Sequence, residues 1–285
     1  MKALACARPR QLCLPLARLH VPDIRAEAIR QGLVAEISGT TIWRWLSEDA
    51  LRPWAHRSWI FPRDPDFARK AAVVLDLYAR RYKGRRLGLD EYVLCADEKT
   101  SIQARVRRHE STPPGPGRAM RVEHEYRRGG AVAYLAALDV HRAKLFGRIE
   151  PTTGIVPFGR LVDQVMRQEP YRSARRVFVI VDNGSSHRGR AAVERLAAHY
   201  PNLTLIHLPV HASWLDQIEI YLSIVQRKVL TPNDALSHDD IGRRILDFQA
   251  RYEASATPFE WKFTRRDLAA LMARLAQREP LRAAA

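Results

Sequence analysis

Arg176-Val177-Phe178-Val179-Ile180-Val181-Asp182-Asn183 is an apolar, β-branched run that ends in an acid. Such a run, bounded by turn residues, reads as a buried strand. Leu203-Thr204-Leu205-Ile206-His207-Leu208-Pro209 repeats the pattern, and Arg188 to His199 between them reads as a helix. Ser213-Trp214-Leu215-Asp216-Gln217-Ile218-Glu219 then opens another helix, with Trp214, Ile218, Tyr221, Leu222 and Val225 as its apolar stripe. Asp216, Glu219, Ser223 and Gln226 are expected on another face of it. The stretch from Arg176 to Val229 thus delivers one carboxylate from a strand and another from a helix.

Upstream, Tyr92-Val93-Leu94-Cys95-Ala96-Asp97-Glu98 is a further apolar run ending in acids. Ala131–Val140 and Lys144–Glu150 read as two strands joined by a hairpin at His141-Arg142-Ala143, and Gly154–Met166 as a helix. The order β-β-β-α-β-α-β-α describes an antiparallel meander followed by crossover units. It predicts an α/β fold, a mixed sheet flanked by helices on both faces. Right-handed crossovers place the Asp182 strand beside the first strand, near Asp97.

An aspartate at the end of a strand is ordinary, because strands end in turn residues. An acid in the first turn of a helix is ordinary too, because the helix dipole favours it. Two strand-end aspartates on neighbouring strands are harder to explain that way. Their mutual repulsion is relieved by a divalent cation. Oxygen donors without Cys or His spacing favour Mg²⁺, with Mn²⁺ possible, over zinc.

The chain has 285 residues, a formal net charge of +16 and a pI near 10.4. That charge balance points to a polyanionic partner, with nucleic acid first among the candidates. Cys6, Cys13 and Cys95 have no metal-ligand spacing and form no paired framework, which suits a reducing compartment. No apolar run reaches the roughly 18 residues of a membrane span, and Arg8-Pro9-Arg10 interrupts any signal-peptide core. The expectation is a cytoplasmic protein with no membrane partner.

Residues 1–20 show no clear period and read as a loosely specified lead-in. Pro22–Arg30 reads as a helix that stops near Gly32, and Ser38-Gly39-Thr40-Thr41 precedes an apolar/Arg helix. This is a helix-turn-helix pattern at about residues 22–48, with Thr40, Thr41 and Arg44 as DNA-facing candidates. An ordinary helical hairpin would carry the same pattern. Arg57–Pro65 reads as a linker and Asp66–Tyr82 as a helix, stopped by Lys83-Gly84-Arg85-Arg86. Residues 105–128 read as a loop with seven arginines against three glutamates. Arg105, Arg107, Arg108, Arg118 and Arg121 are its candidate phosphate ligands, against the simpler reading of solvated loop charge. His238–Arg278 reads as helical, interrupted near Thr257-Pro258.

Three blocks carry a resemblance. Asp97-Glu98, Val181-Asp182-Asn183-Gly184-Ser185-Ser186-His187 and Leu208-Pro209-Val210-His211-Ala212-Ser213-Trp214-Leu215-Asp216-Gln217-Ile218-Glu219 are similar to the catalytic blocks of IS630-family transposases, bacterial relatives of the Tc1/mariner group. Thirty-six residues separate Asp182 from Glu219, a spacing that suits the group. The resemblance spans roughly Val21 to the C-terminus. It implies an RNase H-like fold and a DDE triad at Asp97, Asp182 and Glu219. It also implies Mg²⁺-dependent cutting and joining of duplex DNA at the terminal inverted repeats of an insertion element. A homodimer is expected in the complex that pairs two ends. His187 and His211 fall near the triad in sequence and are assigned no role.

The implied organisation is a partial helix-turn-helix region at 1–56, a linker and helix at 57–90, an RNase H-like catalytic domain at 91–235 and a helical extension at 236–285. Two features depart from the family pattern. Relatives usually carry two helix-turn-helix units, which suggests a shortened copy here, and many have Asn where this chain has Asp216. Two other readings stand beside the transposase. One is a non-catalytic remnant that binds element ends, and the other is a structure-specific nuclease of the same fold.

Overall fold

A computed structural model describes residues 1–56, 62–184 and 189–278. The expected start of a helix at Arg188, the residue His187 and most of the expected linker from Arg57 lie outside the described residues. The chain divides into two compact units, Met1–Ile60 and Phe61–Ala285.

In the smaller unit, α1 (Lys2–Cys6), a 3-10 turn (Pro9–Leu12), α2 (Val21–Arg30) and α3 (Gly39–Glu48) share one core. Leu4 and Leu19 are buried in it with Ile24, Ala28, Ile42 and Leu46. The first 20 residues are therefore part of this core, not a loose lead-in. Two well-placed leucines suffice, and short pieces show no period. Pro22 sits in the first turn of α2, where its missing N–H costs nothing. Ser38 caps α3 by accepting the Thr41 N–H at 3.1 Å.

The larger unit is built on a five-stranded sheet of order β5-β4-β3-β6-β7. Its strands are β3 (Glu91–Val106), β4 (Arg127–Asp139), β5 (Lys144–Glu150), β6 (Arg176–Val181) and β7 (Leu203–His207). A separate two-stranded hairpin, β1 (Arg81–Tyr82) and β2 (Arg85–Arg86), precedes them. β3, β4 and β5 form the antiparallel meander, and β6 and β7 run parallel to β3. The expected mixed sheet is present, with β6 beside β3.

The period-two pattern decides which helices cover which face. Val93 and Cys95 of β3, with Phe178 and Ile180 of β6, face one core. α4 (Phe67–Tyr78), α7 (Ile218–Lys228), α8 (His238–Glu253) and α9 (Arg265–Arg278) supply residues on that side. Leu94, Ala96, Val177, Val179 and Val181 face the opposite core, covered by α5 (Ile155–Met166) and α6 (Gly189–His199). Each fully buried Leu, Val or Phe contributes about 1.5–3 kcal/mol, so this alternation fixes the register.

Three element boundaries differ from the sequence expectation. β3 does not end at Glu98 but runs to Val106, with a bulge where Ser101 adopts φ 54°. Beyond the bulge, Ile102 and Ala104 return to the core. β4 begins at Arg127, so Arg105, Arg127 and Arg128 lie on strands and not in a loop. α4 ends at Tyr78 because Arg80 turns left-handed at φ 54° and starts the hairpin.

Candidate active site

Ala96 of β3 is the register partner of Val181 of β6. Asp97 and Asp182 are the next residues on the two chains. Alternation along each strand puts both on the face of Cys95 and Ile180, which is the face that α7 covers. Glu219 stands in the first turn of α7, and Ile218, Tyr221, Leu222 and Val225 anchor that helix in the core. The fold thus brings the three acids to one end of one sheet face.

A cleft of about 400 Å³ has Asp97 and Glu219 in its walls, with Lys99 and Arg227 at its rim. The Asp97 carboxyl is pushed up to about 7. Burial is the main cause, and the negative charges of Asp182, Glu219 and Glu98 add to it, while the Glu98 N–H opposes the shift from 2.7 Å. Asp182 Oδ1 accepts the Gly184 N–H at 2.7 Å, and Asn183 donates to the Leu208 carbonyl at 2.9 Å. The first bond closes the turn after β6, and the second ties that turn to the segment that leads into α7.

Among the described residues no three His, Cys, Asp or Glu side chains converge tightly enough to make a complete metal ligand set. The donor chemistry nevertheless fits a hard divalent cation. The side chains are all oxygen donors, and Asp97 is raised first by burial and further by the negative charges of Asp182 and Glu219, both of which a bound cation would offset.

Asp216 does not sit where the sequence places it. A 3-10 turn (Ser213–Leu215) comes first, and α7 begins only at Ile218. Asp216 is therefore not on the helical face of Glu219. Asp216 is 1% exposed, and its Oδ1 accepts the Ile218 N–H at 3.2 Å. Burial holds its carboxyl well above the usual carboxylate range. Tyr78 donates to the Leu215 carbonyl at 2.7 Å and lies 3.2 Å from Cys95 Sγ, so α4 and β3 clasp the turn that precedes Glu219. Asp64 accepts the Val210 N–H at 3.1 Å and pairs with Lys70 at 2.8 Å, holding the same segment from its other end. Sequence reading missed Tyr78, Cys95 and Asp64. The only signal for Asp216 was a carboxylate set inside the apolar Leu215–Ile218 step.

The basic candidates separate into two groups. Arg107 donates to the Glu123 and His124 carbonyls and, at 3.1 Å, to that of Asn233. Its guanidinium pins the loop to the body. Arg105 lies over the Tyr126 ring but remains exposed, as do Arg108, Arg118 and Arg121. In the smaller unit Thr40 and Arg44 are exposed one turn apart on α3, and Thr41 is half-buried. His211 is exposed, with φ 61°.

Residues 92–241 match the family model of the DDE superfamily endonuclease. The chain belongs to this family. The match covers the strands and helix that carry Asp97, Asp182 and Glu219, so the resemblance read from the three blocks holds at this level. Among solved structures, the Mos1 transposase paired-end complex with left transposon end is similar at a TM-score of 0.52. It is 15% identical and covers 88% of this chain and 71% of its own. The Mos1 mariner paired end complex with Mn is similar at a TM-score of 0.49 and 16% identity, over 85% of this chain and 70% of its own. No curated protein matches the chain significantly. The DDE endonuclease has the RNase H-like sheet expected of it, and none of its described helices is long and apolar enough to cross a membrane.

Proposed function

We propose that this DDE endonuclease is a transposase of the Tc1/mariner-like group, within the IS630 family. Its substrate is duplex DNA at the terminal inverted repeats of an insertion element, which it cuts and joins to a target. Asp97, Asp182 and Glu219 are its catalytic acids and would hold Mg²⁺ or Mn²⁺. Held by these acids, such ions would supply activation of a water or 3′-hydroxyl and stabilisation of the leaving oxygen in an in-line displacement.

The observation that carries this reading is the convergence of the three acids at one sheet end, where Asp97 and Asp182 follow a register pair and Glu219 lines the same cleft as Asp97. Asp97 and Asp182 would bind from two strand ends held in register. Glu219, with the longer side chain, would reach toward them from α7. The protein's own contribution is positioning and charge rather than a covalent intermediate.

The helical unit supports DNA as the partner. α3 presents Thr40, Thr41 and Arg44 near its N-terminus, where a recognition helix meets base edges. Arg105, Arg108, Arg118 and Arg121 would follow phosphates. The Mos1 relative is a complex of paired transposon ends, and the corresponding assembly here would be a homodimer holding two ends.

The test is incubation of the purified chain with labelled element ends, a target plasmid and Mg²⁺, scoring both cutting and joining. Joined products support a transposase. Cutting without joining would mean a nuclease of the same fold, and DNA binding with neither would mean a non-catalytic remnant.

A further inference from the structure

Far from the acids, at the opposite end of β3 and β6, lies a cavity of about 200 Å³. Lys83, Arg85, Arg86, Arg175 and Arg176 line it, with Glu91 as its acid. Glu91 is buried and accepts the Gly88 N–H at 2.9 Å, so it is committed to the turn after β2. Arg176 lies over the rings of Tyr82 and Phe178, and Lys83 over that of Tyr82. None of the five cations forms an ion pair with a carboxylate among the described residues. Surface arginines elsewhere in this unit do so routinely, as in Arg69–Asp66 and Arg172–Glu169.

The hairpin is built to present this charge. Lys83 and Gly84 form its two-residue turn, at φ 48° and 78°. Both positions need positive φ, which Asn or Gly adopts with least strain and Lys does not. A lysine is kept there at a conformational cost.

A second cavity, of about 410 Å³, adjoins the first through Tyr82 and Lys83 and runs along Leu205, Ile206 and His207 of β7. His207 is the register partner of Val181, next to Asp182. The second cavity thus extends along the edge strand β7 toward the end of the sheet at which Asp182 stands. From Glu91 to Asp97 is six residues of strand, about 20 Å, or roughly six base pairs of duplex.

We propose that the Lys83–Arg86 hairpin with Arg175 and Arg176 is a second docking site for the DNA backbone. It would hold phosphates about half a helical turn away from the strand being cut. This rests on the reading that duplex DNA is the partner, but it assigns residues outside the acid site and outside the helix-turn-helix.

The test measures binding of the full chain to a duplex of about 30 base pairs, without divalent metal, across a salt series. Arg85→Gln with Arg86→Gln should lower the slope of log affinity against log salt by about 2, and Lys83→Asn by about 1. Asn suits the left-handed turn, so Lys83→Asn should melt at or above the wild-type temperature while binding DNA less well. A structural role for Lys83 would not produce that combination. The control is Arg167→Gln with Arg172→Gln, which removes equal charge elsewhere and should leave the slope nearly unchanged. Equal slopes for wild type and the hairpin variants, with wild type binding normally, would overturn this site and leave the transposase reading intact. An equal loss in the control would overturn it as well, by showing a general charge effect. A wild-type chain that binds no duplex would sink both.

Discussion

Ala96 on β3 pairs with Val181 on β6, and the next residue on each chain is an aspartate on the same sheet face. Burial, with the charges of Asp182 and Glu219 beside it adding to the effect, raises the Asp97 carboxyl to about 7. The unfolded value is 3.8. Between these values the folded chain binds more protons than the unfolded chain, so stability falls as pH rises through that window.

The metal-free protein should therefore melt at progressively lower temperature from about pH 4 to about pH 7. Asp97→Asn should flatten the profile, and Asp216→Asn should flatten it further, because burial raises Asp216 in the same direction. Thermal melts in a chelator, at matched ionic strength, check this. An unchanged profile in Asp97→Asn would contradict the placement of Asp97 beside Asp182 and Glu219.

Glu219 and Asp216 should respond differently to loss of charge. Glu219→Gln removes a carboxylate that faces the cleft, and cleavage should be abolished. Asp216 is buried, which holds its carboxyl well above the usual carboxylate range, and Asn has the same shape and keeps an acceptor for the Ile218 N–H. Asp216→Asn should stay within about tenfold of wild type, a barrier change under ~1.4 kcal/mol. Single-turnover cleavage with matched, folded proteins separates the two. Loss of activity in Asp216→Asn with Glu219→Gln still active would reverse the assignment.

Tyr78→Phe removes the hydroxyl that donates to the buried Leu215 carbonyl at 2.7 Å. Leaving that carbonyl without its donor should cost about 1–3 kcal/mol of stability. Denaturant unfolding measures it, and a variant as stable as wild type would show that the clasp on this turn contributes nothing.

Much of the site was legible because its carriers are simple patterns. Val177–Val181 is buried on both faces, and such a strand reads as a continuous apolar run. The extension of β3 was not legible. Glu98-Lys99-Thr100-Ser101 looks like a turn, yet pairing with β4 resumes at Ile102 after a bulge at Thr100-Ser101. Residues 1–20 were misread because two buried leucines in short helical pieces leave no period. Helical spacing counted from Ser213 misplaces Asp216, because the chain takes a 3-10 turn before α7. Burial of a carboxyl depends on what packs over it, here Tyr78 and Cys95 from elements far away in sequence.

The central claim is that Asp97, Asp182 and Glu219 act together as a metal-dependent DNA-cutting site. Asp182→Asn tests it most directly, because Asn retains an acceptor for the Gly184 N–H and only the charge is lost. Wild type and variant should be compared on the same labelled element-end duplex, with DNA binding measured in a chelator and cleavage in Mg²⁺ or Mn²⁺. Binding should be equal or slightly tighter in the variant, and cleavage should fall at least about a hundredfold, a barrier rise near 2.7 kcal/mol. A variant that cuts as fast as wild type in either metal would contradict the account.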